Sequence, residues 1–305
     1  MLFLNKIIDR LLEHKPIIVL DHFIYNLLND YIFGYSAQMA FYLVLSIFPF
    51  LIVLLNLLSL SPAISGDVPL EFLEFLPSEV TNIIEGFVKD IANNSSQGLL
   101  SIAAIGGLWT ASGGMMVTMR SINAAYGFKE NRSYLKRKLL SLLFTVALLI
   151  LIVMVFITLV VGELLGNWIF TIIGNEVLFL TLWQYLRFII PILYMIVIFA
   201  LIYKYTPSTN KENKIKFKST LFGSIFSTLG WIIASILFSY YVNNFGNYAV
   251  TYGSLGGVIV FLMWLYIISM IIILGGEINA TYLYYKKNEV AFNKETSFLY
   301  DFFLK

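Results

Sequence analysis

From Gly256 to Gly276 the chain runs about 20 residues almost without a polar side chain, and the run closes on Glu277. A helix needs about that length to cross roughly 30 Å of hydrocarbon. In hydrocarbon each backbone amide must be satisfied from within its own segment, so a lone apolar run of this length can only be a helix. Just before it stands an apolar segment ending in Tyr240 and Tyr241. An uncharged polar turn with Asn243, Asn244, Gly246, Asn247 and Gly253 separates the two. The stretch reads as the end of one membrane span, a tight return and a final span.

The same grammar recurs upstream. Apolar segments at about 37–60, 98–120, 139–162, 183–205 and 219–242 precede the last one at 255–283. The fold class expected is therefore an all-α membrane protein with six transmembrane helices. Composition agrees: 59% of the 305 residues are hydrophobic and 12% charged, too little charge to cover a soluble surface of this size. Three regions follow: interfacial helices at 1–34, a membrane domain at 35–283, and a tail at 284–305. In the first, Ile7, Ile8, Leu11 and Leu12 share one face and Phe23, Ile24, Leu27, Leu28 and Tyr31 form another, as in helices lying at headgroup level. No secretory signal is expected, because the apolar run Ile17 to Leu20 is too short.

Charge fixes the expected orientation. Basic residues gather before span one (Lys6, Arg10, Lys15), between spans two and three (Lys129, Arg132, Lys136, Arg137, Lys138) and between four and five (Lys204, Lys211, Lys214, Lys216, Lys218). A last group, Lys286, Lys287, Lys294 and Lys305, ends the chain. The other connections hold only Lys89. The positive-inside rule places both termini and the basic loops in the cytoplasm, which needs an even number of spans. The long external loop, 61–97, carries an amphipathic helix from Pro77 whose apolar residues include Val80, Ile83, Ile84 and Phe87. A cap over the outer ends of the spans is favoured there over a lid.

Enzymatic classes find little support. Cysteine is absent, which excludes thiolate nucleophiles and cysteine metal sites. The two histidines, His14 and His22, lack the spacing of a helical metal pair, and Asp21 beside His22 fits a solvated interfacial face. Glycine pairs at 106–107, 113–114 and 275–276 fall inside spans and suit close helix packing. In span two, Gly106, Thr110 and Gly114 form one small face and Ala103, Gly107 and Ala111 another. No enzyme activity, cofactor, metal or nucleic-acid partner is expected, and the basic loops suit anionic headgroups.

The polar residues within the spans are the candidates for function. On span one, Tyr35, Gln38, Tyr42, Ser46, Pro49 and Asn56 fall within about 80° at ~100° per residue, with Val53 the apolar exception. Span five adds Ser224, Thr228, Trp231, Ser235 and Ser239. Such stripes face protein or water, as interhelical bonds or as the wall of a polar pathway. Glu163, Arg187 and Glu277 are ionisable groups in or near hydrocarbon and are functional candidates by default. Glu277 and Arg120 sit at the same end of their spans, where an ion pair would clamp the bundle; a transport-linked role for Glu277 is the alternative.

Four stretches resemble the YihY/BrkB family of bacterial cytoplasmic-membrane proteins. They are SAQMAFYLVLSIFPF at 36–50, LWTASGGMMVTMRSINAAYG at 108–127, the loop at Pro207, and NFGNYAVTYGSLGGVIVFLMWLYIISMIIILGGEINA at 244–280. The resemblance implies a six-helix protein of the cytoplasmic membrane with envelope associations. An old family label, ribonuclease BN, would imply a metal-dependent nuclease, but the only carboxylates in the basic loops, Glu130 and Glu212, stand isolated in sequence. The expected role is transport-like, the export or flipping of a lipid or amphipathic envelope component. Membrane lipids and envelope-assembly proteins are the expected partners. A non-transporting scaffold for envelope assembly is the alternative, and a membrane-bound ribonuclease comes last. A transporter should hold a cavity lined by the span-one stripe; a scaffold should fill that space with side chains.

Overall fold

The structure, a computed structural model, describes residues 12, 14–59, 97–156, 158, 176–209, 214–245, 255–287 and 296–304. Side chains are described at all of these except 47–59, 97–104, 156, 176–181, 184, 245, 287 and 304. The described residues form helices and short connections only. They are α1 (Lys15–Asn29), α2 (Ile32–Ser59), α3 (Gln97–Ala125), α4 (Tyr134–Phe156), α5 (Glu176–Tyr205), α6 (Phe217–Phe245), α7 (Gly256–Lys287) and α8 (Phe298–Leu304). Four stretches are long and apolar enough to cross a membrane: Tyr134–Val155, Tyr185–Tyr205, Phe217–Asn244 and Gly256–Lys286. Helices α2 and α3 occupy the positions of predicted spans one and two. The tyrosine pair does not end its span, because α6 continues through Asn243 and Asn244 to Phe245. The external loop, including its expected helix, lies outside the described residues.

Local sequence sets the helix ends. Pro16 opens α1, where its missing N–H costs no intrahelical bond. Helix α1 closes with the Asp30 amide donating to Asn26 O, and Tyr31 turns the chain at φ 54° into α2. Gly127 ends α3 at φ 64°, with its own amide bonded to Ala124 O and that of Phe128 to Asn123 O. That is a Schellman closure, and glycine takes the left-handed position at no steric cost.

The six long helices are arranged as a ring. Each packs on the next from α2 to α7, and α7 returns to α2 while also touching α3. The ring is filled. Val117, Ile122, Phe199, Ile202, Tyr203, Ile268, Ile272 and Ile273 are buried in its core, with Trp231 and Trp264 packed against them. Large apolar side chains also cover the outside, among them Leu135, Leu139 and Leu143 on α4 and Ile233, Ile236 and Leu237 on α6. Apolar surface on that scale, on helices already packed together, is what a lipid environment covers.

The ends of the chain dock together on this ring. Helix α1 packs on α7 and against α8. Asp21, buried, accepts the Leu299 amide at 2.8 Å; His22 stacks on Tyr284 at 5.2 Å and reaches Thr296 O at 3.3 Å. His22 and Asp21 are thus fastened to the C-terminal segment. The N-terminal segment was expected only to lie at the headgroups; α1 is also part of the packed bundle.

Candidate functional site

The last span is the centre of the candidate site, and its glycines bring α6 against it. A Cβ on Gly223 would run into Gly275 O and the Asn279 side chain; one on Gly275 would meet Ser227 Oγ and Tyr203 Oη. Only glycine at these positions lets the two backbones meet. The Gly223 amide donates to Asn279 Oδ1 at 2.7 Å. The Tyr203 hydroxyl, from α5, lies 2.6 Å from both Ile272 O and Ser227 Oγ. Ser227 Oγ also lies 3.2 Å from Ile271 O. Three helices are therefore locked by bonds to carbonyls and amides rather than by side-chain charges.

Glu277 sits one residue beyond Gly276 and is 2% exposed. Its Oε1 has no hydrogen-bond partner, nor have the buried Tyr126 Oη and Thr281 Oγ1. Asn26 and Asp30 approach the carboxyl from α1 and the turn after it, and Tyr126 from the end of α3. Burial raises the pKa of Asp30, with His22 acting weakly in the opposite direction. The expected clamp between Glu277 and Arg120 is absent: no described cation pairs with Glu277, and Arg120 is exposed. Both residues lie towards the same end of the bundle, but helix rotation turns Arg120 outwards.

Past the end of α3 the two basic connections are stitched together. Asn123 Nδ2 donates to Glu130 Oε2 at 3.0 Å while Asn123 Oδ1 accepts the Ser208 amide at 2.7 Å. Arg132 donates to Glu130 at 2.7 and 2.8 Å and to Thr206 O at 2.8 Å. Burial alone would raise the pKa of Glu130, but its bonds to Arg132 and the charges of Arg132 and Arg137 outweigh that and hold it at about 2. Glu130, isolated in sequence, is thus the hub of an interloop clamp. Glu212 lies outside the described residues.

The polar stripes take varied places. Tyr35 is half-buried against the core, and the Tyr42 ring lies where a Cβ on Gly113 or Gly114 would go. Gln38 is exposed. Ser46 Oγ donates back to Leu43 O at 2.7 Å. The Asn56 side chain is outside the described set, as is Glu163. Ser224 is buried and bonded to Thr220 O in its own helix, whereas buried Thr228 Oγ1 has no partner. The Trp231 ring lies tilted against Phe199 with centroids 6.0 Å apart, and Ser235 Oγ accepts from Trp264 Nε1 at 3.3 Å. Arg187 is exposed, its guanidinium 4.8 Å from the Phe188 ring centroid. Helices α2 and α6 each pack on α7 rather than extensively on each other, so the two stripes meet different neighbours. Of the small faces in span two, Gly106 has open space where a Cβ would stand, Gly107 is buried, and Gly113 and Gly114 pack against Tyr42.

Tyr203, Asn279, Asn123 and Asp30 were not singled out from sequence. Asn279 had a signal, two residues beyond Glu277 in an otherwise apolar span. Tyr203 had none, since a tyrosine near the end of a span suits an interfacial anchor equally well.

An all-helical bundle with four helices, among the described residues, long and apolar enough to cross a membrane, exposed apolar walls and a polar cluster inside its last helix defines a multi-pass membrane protein. Residues 23–297 match the family described as Virulence factor BrkB, and the chain belongs to that family. Among its relatives, a Bacillus subtilis protein named putative ribonuclease-like protein YfkH is 39% identical over 245 residues, covering 80% of this chain and 88% of the relative. A UPF0761 membrane protein of Aliivibrio salmonicida is 25% identical over 262 residues, covering 84% and 80%. One from Coxiella burnetii is 27% identical over 252 residues, covering 80% and 85%. No solved structure matches the chain.

Proposed function

We propose that the protein is a six-span transporter-like protein of the bacterial cytoplasmic membrane, with both termini inside. It exports or flips a lipid or another amphipathic envelope component and has no enzymatic activity. The observation that carries this is Glu277, a carboxyl buried in the last span with an oxygen that has no partner. A bundle that serves only as scaffold gains nothing from such a group. Buried polar atoms are normally bonded, and an unpaired buried acid lowers stability. Intramembrane acids persist where they take part in a moving equilibrium.

Among the described residues, the core at this half of the ring is packed with large side chains. Movement along the perimeter fits that packing, with a headgroup following polar side chains such as Gln38 and Arg120 while the acyl chains stay in the bilayer. Scaffolding of envelope assembly is the competing role. The ribonuclease-like name of the Bacillus relative offers no ligand set here: no group of three or more His, Asp or Glu able to hold a metal occurs among the described residues.

Glu277→Gln decides between transport and scaffold, being isosteric and uncharged. A scaffold should tolerate it, with unchanged or higher thermal stability. A transporter should lose rescue of an envelope defect in a deletion strain while its abundance and melting temperature hold. Full rescue by Glu277→Gln at normal abundance would remove the main support for transport.

A further inference from the structure

A cleft of about 170 Å³ opens where α3, α4 and the connection between them meet, lined by Met116, Met119, Arg120, Glu130 and Arg137. It is far larger than the ~10–15 Å³ that admits one water. Its charges are unbalanced. The Glu130 carboxylate is already taken by Arg132 and Asn123. Arg137 lies near enough to act on Glu130 electrostatically but makes no ion pair with it among the described residues, and its buried Nε has no partner. Arg120 makes no hydrogen bond or ion pair among the described residues and stands exposed at the rim. Two guanidiniums without an ion-pair partner among the described residues thus border one cleft over a floor of methionine.

Guanidinium forks match the oxygens of a phosphate in geometry and charge. The surroundings say which phosphate. The cleft lies at the end of the bundle that carries the basic connections, where anionic lipids are drawn.

We infer that the Arg120–Arg137 cleft binds the phosphate of an anionic phospholipid. This deepens the proposed function by naming the substrate class and rests on it only in treating the cleft as part of a lipid path. Binding itself stands apart from transport.

The test uses the purified full chain in a mild uncharged detergent, with thermal stability followed as short-chain phosphatidylglycerol is added. Parallel arms receive short-chain phosphatidylcholine or inorganic phosphate. Phosphatidylglycerol should stabilise the protein saturably, the other two weakly or not at all. Arg120→Gln should weaken the response roughly tenfold, the loss of about one charge-assisted hydrogen-bonding partner, and the change to glutamine at both arginines should abolish it. Arg120→Lys, which keeps the charge but not the fork, should fall between. It also controls for folding should the double variant prove unstable. An unaltered phosphatidylglycerol response in Arg120→Gln overturns the inference. Equal responses to phosphatidylcholine overturn the anionic preference, and equal responses to inorganic phosphate overturn the lipid assignment. These outcomes are separable from the Glu277→Gln result. Phosphatidylglycerol binding with full rescue by Glu277→Gln keeps the site and removes transport; loss of rescue with no lipid response does the reverse.

Discussion

Gly223→Ala should be among the most damaging single-methyl changes in the chain. The added Cβ meets Gly275 O, a backbone atom of the neighbouring span, together with the Asn279 amide that bonds the Gly223 N–H. A flexible side chain could swing aside; a helix backbone cannot. Relief requires α6 and α7 to separate, and three contacts depend on their approach: Gly223 N to Asn279 Oδ1, Ser227 Oγ to Ile271 O, and the Tyr203 hydroxyl bridging Ser227 and Ile272. Interhelical hydrogen bonds in membranes are worth roughly 0.6–1.7 kcal/mol each, and overpacking adds about 1–3 kcal/mol. Against this stands the better helix propensity of alanine, about 1 kcal/mol. The net expectation is a loss of about 2–5 kcal/mol. Gly106→Ala is the internal control. Nothing lies within 4 Å of its added methyl, so the propensity gain should appear alone, neutral to about 1 kcal/mol stabilising. Both variants are compared by thermal melting in detergent, monitored by size-exclusion chromatography. If Gly223→Ala melts with or above the wild type, the α6–α7 crossing is not as close as described.

Tyr203→Phe keeps the ring in the core and removes the hydroxyl shared by Ile272 O and Ser227; the same melting assay should show a loss of about 1–2 kcal/mol. The clamp at Glu130 gives a pH prediction. Its folded pKa, about 2, lies below the ordinary 4.5, so its contribution is complete above about pH 4.5 and fades as pH falls towards 2. The stability gap between wild type and Glu130→Gln should therefore close over that window; a gap unchanged at pH 3 would refute the clamp. For orientation, the chain has no cysteine background. A cysteine at Ser78 should react with an impermeant thiol reagent in intact cells and one at Asn213 only after lysis, and the opposite pattern would invert the proposed topology.

The membrane class was legible because hydrocarbon leaves the chain so few choices. Once some 20 apolar residues follow one another, backbone satisfaction demands a helix, and helices stand where all six segments were expected. The fold's interior was less legible. Periodicity at ~100° per residue says which side chains share a face, not which neighbour that face meets. Gly106 and Gly114 lie on one small face of α3, yet only Gly114 receives a partner, Tyr42. Gln38 and Tyr42 share a stripe, yet one is exposed and the other packed. Arg120 and Glu277 share an end of the bundle, yet one points outwards and the other is sealed within.

By itself, then, the sequence determined the helices, their apolar surfaces and the clustering of basic charge, all consequences of local composition acting on the backbone. Only the tertiary structure decided that Asn123 would join loops 85 residues apart, that Gly223 would meet Gly275, and that Glu277 would be buried with an unpaired oxygen. Those outcomes depend on the rotation and approach of whole helices. In a bundle where almost every face is apolar, a few small or polar side chains set that rotation, and their partners lie too far along the chain for any local pattern to reveal.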